Sequence, residues 1–364
     1  MAESSLPRGE IRVLYNCKFL NGNEALLEIG GLNSYEMKVL GNPKRLPLYE
    51  RISIEPLRIP SYLESLPTLS EEIRQVVKRY SRRNFHIPGL YSDQPAIMGV
   101  INVTPDSFSD GGKYLSSDKA LARAEQLIEE GADIIDIGGE STRPGSKEIS
   151  VDEELKRVIP ALEKIRPITD KIISIDTRKA KVAKEALDAG ADWINDISGL
   201  RHDPEMVTLA AERKCPVVLM HMRGNPETMQ INVQYEDPVR EIYCWLRNRV
   251  SFLLEKGIEE KNIIIDPGIG FGKRPEDNLE IINRLSEFKS LGLPILIGPS
   301  RKSFIGVCTS KDVDDRLFGT SAAVAASVLG GAKIVRVHDV KEMKDVAIMA
   351  YAISCRKVPV GMRN

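Results

Sequence analysis

The chain has 364 residues, of which 42% are hydrophobic, enough for one large domain with its own core and a smaller second one. Its charges nearly balance, with 51 lysines and arginines against 52 acidic residues, so the net charge is -1. No overall field therefore attracts nucleic acid or an anionic membrane, and an anion must be bound by a local cluster of cations.

The cysteines form an odd set of five without the paired spacing of a metal site: Cys17, Cys215, Cys244, Cys308 and Cys355. We expect reduced, packed thiols, which favours a cytoplasmic location. The first twelve residues are polar and lack the apolar block of a secretory signal, and no run of about 18 apolar residues is present. The sequence therefore predicts a protein without a membrane span.

Residues 1–91 predict a small α+β extension. Short β-like runs at residues 11–15 and 25–29 precede a helix from residue 70 to about 82, which starts with the capping-box spacing Thr68-x-x-Glu71. We expect this helix to dock through apolar residues that share one face: Ile73, Val76, Val77 and Tyr80. Its basic residues are more typical of a solvated helix face than of a nucleic-acid surface. The role of the extension stays open.

Residues 92–364 predict a TIM barrel. Eight short apolar runs alternate with eight amphipathic ones, as is typical of parallel strands joined by helices. The strands should begin near Ala96, Asp133, Ile172, Asp192, Pro216, Asn262, Pro294 and Lys333. The helices should cover residues 118–130, 152–165, 179–189, 204–212, 238–256, 275–289, 314–329 and 340–353. Eight units in about 265 residues favour a closed (β/α)8 barrel over the rival, a doubly wound open sheet.

A short pattern recurs where helices should end. Gly131, Gly190 and Gly331 are each followed by alanine, a polar residue and an apolar run. We expect each glycine to end a helix in a left-handed cap, after which the chain enters a buried strand.

Polar residues end several of the predicted strands, where the active site of such a barrel lies. Asp176, Asn195 and Asp266 end the third, fourth and sixth strands and should converge on a buried floor. Such a floor suits a flat heterocycle with several N–H donors, such as a pterin, because each acceptor finds a donor. Any one of the three is as easily a core polar group satisfied within the protein.

A glycine-rich turn follows the sixth strand at residues 266–273 (DPGIGFGK) and would let the backbone approach a ligand. Phe271 is a candidate stacking surface, although it serves equally well as a plug of the barrel mouth. A glycine-rich turn taken alone is weak evidence for a ligand-binding site.

Cations follow at the same rim: Arg143, Lys302, Arg336 and His338. The seventh and eighth strands usually form the phosphate corner of such barrels, so a diphosphate is a candidate ligand. The alternative for Arg336 is a salt bridge with Asp339 or another rim acid. No catalytic triad, zinc-type cluster or pair of glutamates stands out, so a covalent hydrolase or glycosidase has no support. His221 is expected to be packed or to support the site indirectly.

Two loops carry a resemblance to a known family. Residues 102–112 read NVTPDSFSDGG and residues 139–145 read GESTRPG, which resemble the two signature loops of dihydropteroate synthases. Further motifs of that family follow in order: SIDT from Ser174, INDISG from Ile194, MHMRGNP from Met220, DPGIGFGK from Asp266, SRKSF from Ser300 and VRVHDV from Val335. The resemblance runs from about residue 95 to 355.

The resemblance implies that 6-hydroxymethyl-7,8-dihydropterin diphosphate condenses with 4-aminobenzoate, giving 7,8-dihydropteroate and diphosphate in folate biosynthesis. By motif match the pterin would be held by Asp176, Asn195, Asp266 and Lys302, beside Met220 and Phe271. The diphosphate would be held by Asn102, Arg336 and His338, with Mg²⁺ bridging Asn102 and phosphate oxygens. The aminobenzoate site would be formed by Phe108, Thr142, Arg143, Pro144 and Ser303. Catalytic roles would fall to Asp106, Arg143 and Lys302, and the enzyme is expected to be a homodimer.

The chain departs from the family at two places. Asn232-Val233-Gln234 stands where a proline often precedes the tyrosine matched by Tyr235, and Pro299 is an unusual neighbour of the SRKSF turn. Pterin-binding methyltransferases share the barrel but need neither a diphosphate grip nor an aminobenzoate loop. Two further hypotheses stay open at this point, a non-catalytic pterin-binding barrel and a synthase that takes a modified arylamine as its acceptor.

Overall fold

The computed structural model describes residues 11–15, 24–29, 45–49, 71, 74–76, 78–80, 82, 85–104, 113–143, 145–231 and 233–356. Near the N-terminus, three strands form an antiparallel sheet in the order β1-β2-β3: Ile11–Tyr15 (β1), Glu24–Ile29 (β2) and Arg45–Tyr49 (β3). β1 and β2 match the predicted runs. β3 was not predicted, because Pro47 interrupts its pattern, and it lies at the sheet edge where a proline is tolerated.

Eight parallel strands form the barrel: Ala96–Asn102 (β4), Ile134–Gly138 (β5), Ile172–Asp176 (β6), Trp193–Asp196 (β7), Val217–Met220 (β8), Ile263–Asp266 (β9), Leu296–Ile297 (β10) and Ile334–Val337 (β11). Their order is β10-β11-β4-β5-β6-β7-β8-β9, and a parallel bridge between Ile265 and Ile295 closes the ring. There the Ile265 amide donates to the Pro294 carbonyl at 3.0 Å. The predicted TIM barrel is confirmed and the open sheet is excluded.

Nine helices of the described barrel surround these strands: Lys113–Glu129 (α1), Val151–Ile165 (α2), Ala180–Asp188 (α3), Glu205–Arg213 (α4), Pro238–Glu255 (α5), Pro275–Asn283 (α6), Ser303–Thr309 (α7), Leu317–Leu329 (α8) and Val340–Cys355 (α9). The helix predicted for residues 275–289 is wrong in its second half, which is the 3-10 segment Leu285–Leu291. α7 escaped prediction because seven residues are too few to show helical periodicity. None of the described helices combines the length and apolar character of a membrane span.

The three glycine caps are confirmed. Gly131, Gly190 and Gly331 have φ angles of 92°, 105° and 102°. The amide of the following alanine donates to the carbonyl five residues earlier, at 2.8 Å after Gly131, 2.9 Å after Gly190 and 3.0 Å after Gly331. This is the Schellman arrangement, in which a residue with a left-handed conformation ends the helix. Each cap turns the chain directly into the next strand.

The end of the barrel opposite the strand carboxyl ends is closed by the segment before β4. Ile87 is buried in an apolar cluster with barrel residues that include Met98, Trp193 and Ile264. The partly described helical segment at residues 71–80 contributes two further buried side chains, Val76 and Tyr80. Its predicted partners Ile73 and Val77, like Thr68 of the capping box, lie outside the described residues. The closed end leaves the opposite rim for ligands.

Replacing Ile87 with alanine should lower the free energy of unfolding by about 2 to 5 kcal/mol, because it removes a buried side chain that the barrel interior cannot refill. Chemical denaturation measures the change. Tyr91→Ala is the matched control, since Tyr91 is 93% exposed a few residues away. Equal stability of the two variants would contradict the conclusion that Ile87 closes this end of the barrel.

Candidate active site

Strand register brings the predicted strand-end residues into one layer. Asn102 pairs with Gly138, Gly138 with Asp176, and Asp176 with Asn195, while Met220 pairs with Asp266. The side chains of Asp176, Asn195 and Asp266 are at most 9% exposed. The structure therefore brings the three predicted floor residues to the same end of the barrel.

The floor is organised by Arg336. Its Nε donates to Asp136 Oδ2 at 2.6 Å and its Nη2 donates to Asp176 Oδ2 at 2.7 Å. Asp136 Oδ2 also accepts from Asn195 Nδ2 at 3.1 Å. The alternative partner Asp339 is engaged elsewhere, because it accepts from Arg301 Nε at 3.0 Å. Arg336 therefore forms the salt bridge with rim acids that the sequence offered as an alternative, but its partners are Asp136 and Asp176 of the floor and not Asp339.

Asp136 is a floor residue that the sequence placed at the end of the second predicted strand, without assigning it a role in the floor. It is 0% exposed, it bonds both Asn195 and Arg336, and its Oδ1 has no hydrogen-bond partner among the described residues. The sequence did offer a signal for Asp136. It lies two residues before Gly138 in β5, so its side chain is on the same face of the strand as Gly138. Lys273 was missed as well: it is buried, and its Nζ donates to the Phe271 carbonyl at 3.0 Å.

Burial changes the acidity of the floor. Loss of water, with a smaller contribution from the charge of Asp136, raises the pKa of Asp176 to about 7 against the opposing effect of Arg336. Burial also raises the pKa of Asp266 to about 6. Lys302 is shifted in the other direction, because burial and the charge of Arg336 lower its pKa to about 8. Groups with such shifts at a strand-end cleft are typical of functional sites.

The turn after β9 places Phe271 beside the floor. Asp266 Oδ1 accepts from the Gly268 amide at 2.7 Å, which folds the turn back. Gly268 has φ 72°, and a Cβ there would lie 2.0 Å from the His221 carbonyl oxygen, so only glycine fits. Phe271 packs in an apolar cluster with Met220, and Lys302 Nζ lies 4.0 Å from its ring centroid. Phe271 and Lys302 therefore face the same space.

His338 lies at the phosphate corner as a neutral ring. Burial and the charges of Arg336 and Arg301 lower its pKa to about 4. The His338 amide donates to Ser300 Oγ at 3.2 Å, and the Ser300 hydroxyl lies 3.0 Å from His338 Nδ1. The Ser300 hydroxyl can donate to Nδ1, and in that tautomer the ring carries its proton on Nε2.

The two signature loops are described in part. Asn102 is half-buried at the end of β4, whereas Asp106 and Phe108 lie outside the described residues, as does Pro144. Thr142 is half-buried, and Arg143 and Ser303 are exposed. In the second loop, the Gly145 amide donates to the Pro226 carbonyl at 3.0 Å. Of the predicted catalytic residues, the described structure brings only Lys302 close to the floor.

Comparison with known proteins agrees with this geometry. The family described as pterin binding enzyme matches residues 98–338. The dihydropteroate synthase of Bacillus subtilis is 50% identical over 263 residues, which cover 72% of this chain and 90% of that protein. The chain belongs to the dihydropteroate synthase family.

Solved dihydropteroate synthases share the barrel. The Yersinia pestis enzyme in complex with a sulfonamide drug has a TM-score of 0.69 at 41% identity, covering 74% of this chain and 97% of that one. The Xanthomonas albilineans enzyme in complex with 7,8-dihydropteroate has a TM-score of 0.67 at 39% identity, with the same coverages. The fission yeast folic acid synthesis protein fol1 is 42% identical over 340 residues, 89% of this chain and 46% of that protein. Because 89% of this chain is a longer stretch than residues 92–364, the similarity to that protein extends into the N-terminal extension.

Within this dihydropteroate synthase floor, Asp136→Asn should lower the pKa of Asp176. A neutral amide removes a neighbouring negative charge, and Arg336 then pairs chiefly with Asp176; both changes favour the ionised form. Carboxyl-carbon NMR titration of Asp176 measures the shift. Asp170→Asn, the same change at an exposed residue, should leave it unaltered. A pKa that stays the same or rises would show that Asp136 does not act on Asp176.

Proposed function

We propose that this chain condenses 6-hydroxymethyl-7,8-dihydropterin diphosphate with 4-aminobenzoate to give 7,8-dihydropteroate and diphosphate. The observation that carries the proposal is the buried floor of Asp176, Asn195 and Asp266 beside Arg336 and Lys302. Family membership supports it, as do the solved relatives described with 4-aminobenzoic acid and with 7,8-dihydropteroate.

The floor residues match the hydrogen-bonding edge of a pterin. Asp176, Asn195 and Asp266 offer acceptors to the ring N–H and amino donors, and a buried acceptor is costly when it stays unpaired. Each N–H donated to a carboxylate also favours its ionised form, which offsets the raised pKa values of the floor. Phe271 and Met220 supply an apolar surface for the ring.

We expect Arg336 and His338 to hold the diphosphate, with Lys302 adding positive charge beside them at the pterin. The C–O bond of the pterin methylene breaks, and its electron pair leaves with the diphosphate. The lone pair of the arylamine nitrogen forms the new C–N bond, and that nitrogen then loses a proton. Cations stabilise the charge that develops on the leaving oxygen, while the acidic floor stabilises positive charge on the pterin. A dissociative displacement of this kind requires no strong base.

Mg²⁺ is part of the proposal, with Asn102 as its protein ligand. The half-buried Asn102 ends β4 and offers one amide oxygen, a type of ligand that Mg²⁺ accepts. Among the described residues no group of three acidic, histidine or cysteine side chains is arranged to hold a metal. This fits an ion bound mainly through substrate phosphates and water. When bound, it would neutralise charge on the diphosphate.

Incubating the purified protein with the pterin diphosphate and Mg²⁺, with and without 4-aminobenzoate, tests the reaction. We expect diphosphate release and a product with the mass of dihydropteroate only when both substrates are present. Pterin binding without condensation would contradict the proposed acceptor and favour another arylamine or a silent barrel. Methyl transfer from a methylated pterin would favour the methyltransferase hypothesis.

We also propose that the enzyme is a cytoplasmic homodimer. A cytoplasmic location is supported by Cys215, Cys308 and Cys355, which are free thiols in the described part of the chain. Support for a dimer comes from apolar side chains exposed on neighbouring helices, Phe318 and Leu329 on α8 and Met349 and Ile353 on α9. Phe318 is 85% exposed, an unusual state for a large apolar residue unless a second copy covers it.

Light scattering after size exclusion should give the wild type about twice the 40.5 kDa mass of one chain. The double variant Phe318→Glu with Met349→Glu should give the monomer mass, because two like charges in an apolar interface have no partner. Leu279→Glu, an exposed leucine of α6, is the matched control and should stay dimeric. A monomeric wild type would end the proposal.

A further inference from the structure

Four charged side chains are buried beneath the second signature loop, and none of them belongs to the substrate site described above. Glu140, Glu154, Arg178 and Lys179, here called the anchor cluster, are exposed by 8%, 1%, 8% and 5%. Glu140 lies in the loop itself and Glu154 in the first turn of α2. Arg178 and Lys179 follow β6 directly. The anchor cluster therefore joins three elements that meet at the catalytic rim.

Glu140 is the centre of the anchor cluster. Its Oε1 accepts from Arg178 Nη2 at 2.7 Å and from Arg178 Nε at 3.1 Å. Its Oε2 accepts from Lys179 Nζ at 2.5 Å and from the Ile149 amide at 3.2 Å. Lys179 Nζ also donates to Glu154 Oε2 at 2.6 Å. One loop side chain is thus fixed by two cations, one of which is itself held by α2.

Overall stability is a weak explanation for this arrangement. Removing four charges from water is expensive, and a buried ion pair often stabilises a fold no more than apolar residues of the same size. Glu154 Oε1 also lacks a hydrogen-bond partner among the described residues. What ion pairs provide better than apolar contacts is a defined geometry, since each donor must meet its acceptor at a fixed distance and angle.

The loop that the anchor cluster holds carries Thr142 and Arg143. Beyond Glu140, this loop is held through its backbone: Arg157 Nη1 donates to the Gly139 carbonyl at 2.9 Å, Ser146 Oγ to the Ser141 carbonyl at 2.6 Å, and Gly145 to Pro226 as described above. Thr142 is half-buried and Arg143 is exposed, so little side-chain packing fixes either residue. Their position therefore depends on these backbone bonds and on Glu140, which lies two residues before Thr142.

We propose that Glu140, Lys179 and Glu154 are positioning residues that hold the second signature loop in place for the arylamine acceptor. The inference rests on the proposed function, which assigns Thr142 and Arg143 to the acceptor. These three residues act through the loop and touch neither substrate. The geometry of the pterin floor does not depend on them, because Asp176 is fixed by strand pairing on both sides and by Arg336. The charge of Glu154 does raise the pKa of Asp176, so a test must remove Glu154 and Lys179 together and leave the net charge unchanged.

The double variant Lys179→Met with Glu154→Gln tests the proposal, since it removes one ion pair without leaving a lone buried charge. The KM for 4-aminobenzoate should rise by about tenfold or more, because small displacements of a substrate-positioning group are costly. The dissociation constant of the pterin diphosphate, from calorimetry without acceptor, should change by less than about twofold. Lys156→Met with Glu163→Gln, the same charge change at exposed positions of α2, should alter neither value.

Glu140→Gln is the second variant, because it keeps the size of the side chain and leaves each cation an acidic partner, Glu154 for Lys179 and Glu148 for Arg178. Hydrogen exchange of residues 139–149 should become faster in this variant, with the same rise in acceptor KM. An equal weakening of pterin and acceptor binding, or unchanged exchange and KM in a folded variant, would overturn the proposal. A wild type that makes no dihydropteroate would refute the proposed function instead, while the exchange measurement would still report on the anchor cluster.

Discussion

The site depends on one arrangement, a guanidinium that spans two buried carboxylates. Asp136 and Asp176 lie on neighbouring strands, and Arg336 reaches both from β11 across the barrel. The cation opposes the repulsion between the two carboxylates, because like charges in a poorly solvated space repel strongly. The strand order makes the arrangement possible, since β11 pairs with β4 and thus lies within reach of β5 and β6. Closure of the barrel between β9 and β10 brings the rest of the floor to the same rim.

The sequence predicted the barrel and much of the rim because both follow from local patterns. Eight repeats of strand and helix favoured closure, and residues such as Asp176, Asn195 and Asp266 stood out as polar residues at the ends of apolar runs. Asp136 was harder to detect, because it lies within an apolar run and its role appears only when Arg336 approaches from 200 positions along the chain. Interactions over such separations leave no periodic signal in the sequence.

Other differences have equally physical reasons. Arg301 and Arg336 are both rim arginines, and nothing in the sequence predicts that Asp339 pairs with Arg301 and leaves Arg336 to the floor. β3 was hidden by Pro47, and α7 was too short to show a period. The anchor cluster could not be predicted for a related reason. Glu140 was recognised only as one residue of the loop motif, while its partners Arg178 and Lys179 follow a different strand.

The buried charges of the floor lower the stability of the fold near neutral pH, and the size of this effect changes with pH. Acids with raised pKa values, such as Asp176 at about 7 and Asp266 at about 6, bind more protons in the folded than in the unfolded chain, so their contribution to stability falls as pH rises through those values. Lys302, with its pKa lowered to about 8, binds fewer protons when folded, so its contribution rises as pH increases above that value. Both costs are therefore fully present between about pH 7 and 8. A substrate that donates hydrogen bonds to the acids and presents phosphate oxygens to the lysine relieves both at once, so the electrostatic cost of the floor adds to the affinity for a ligand that carries both groups.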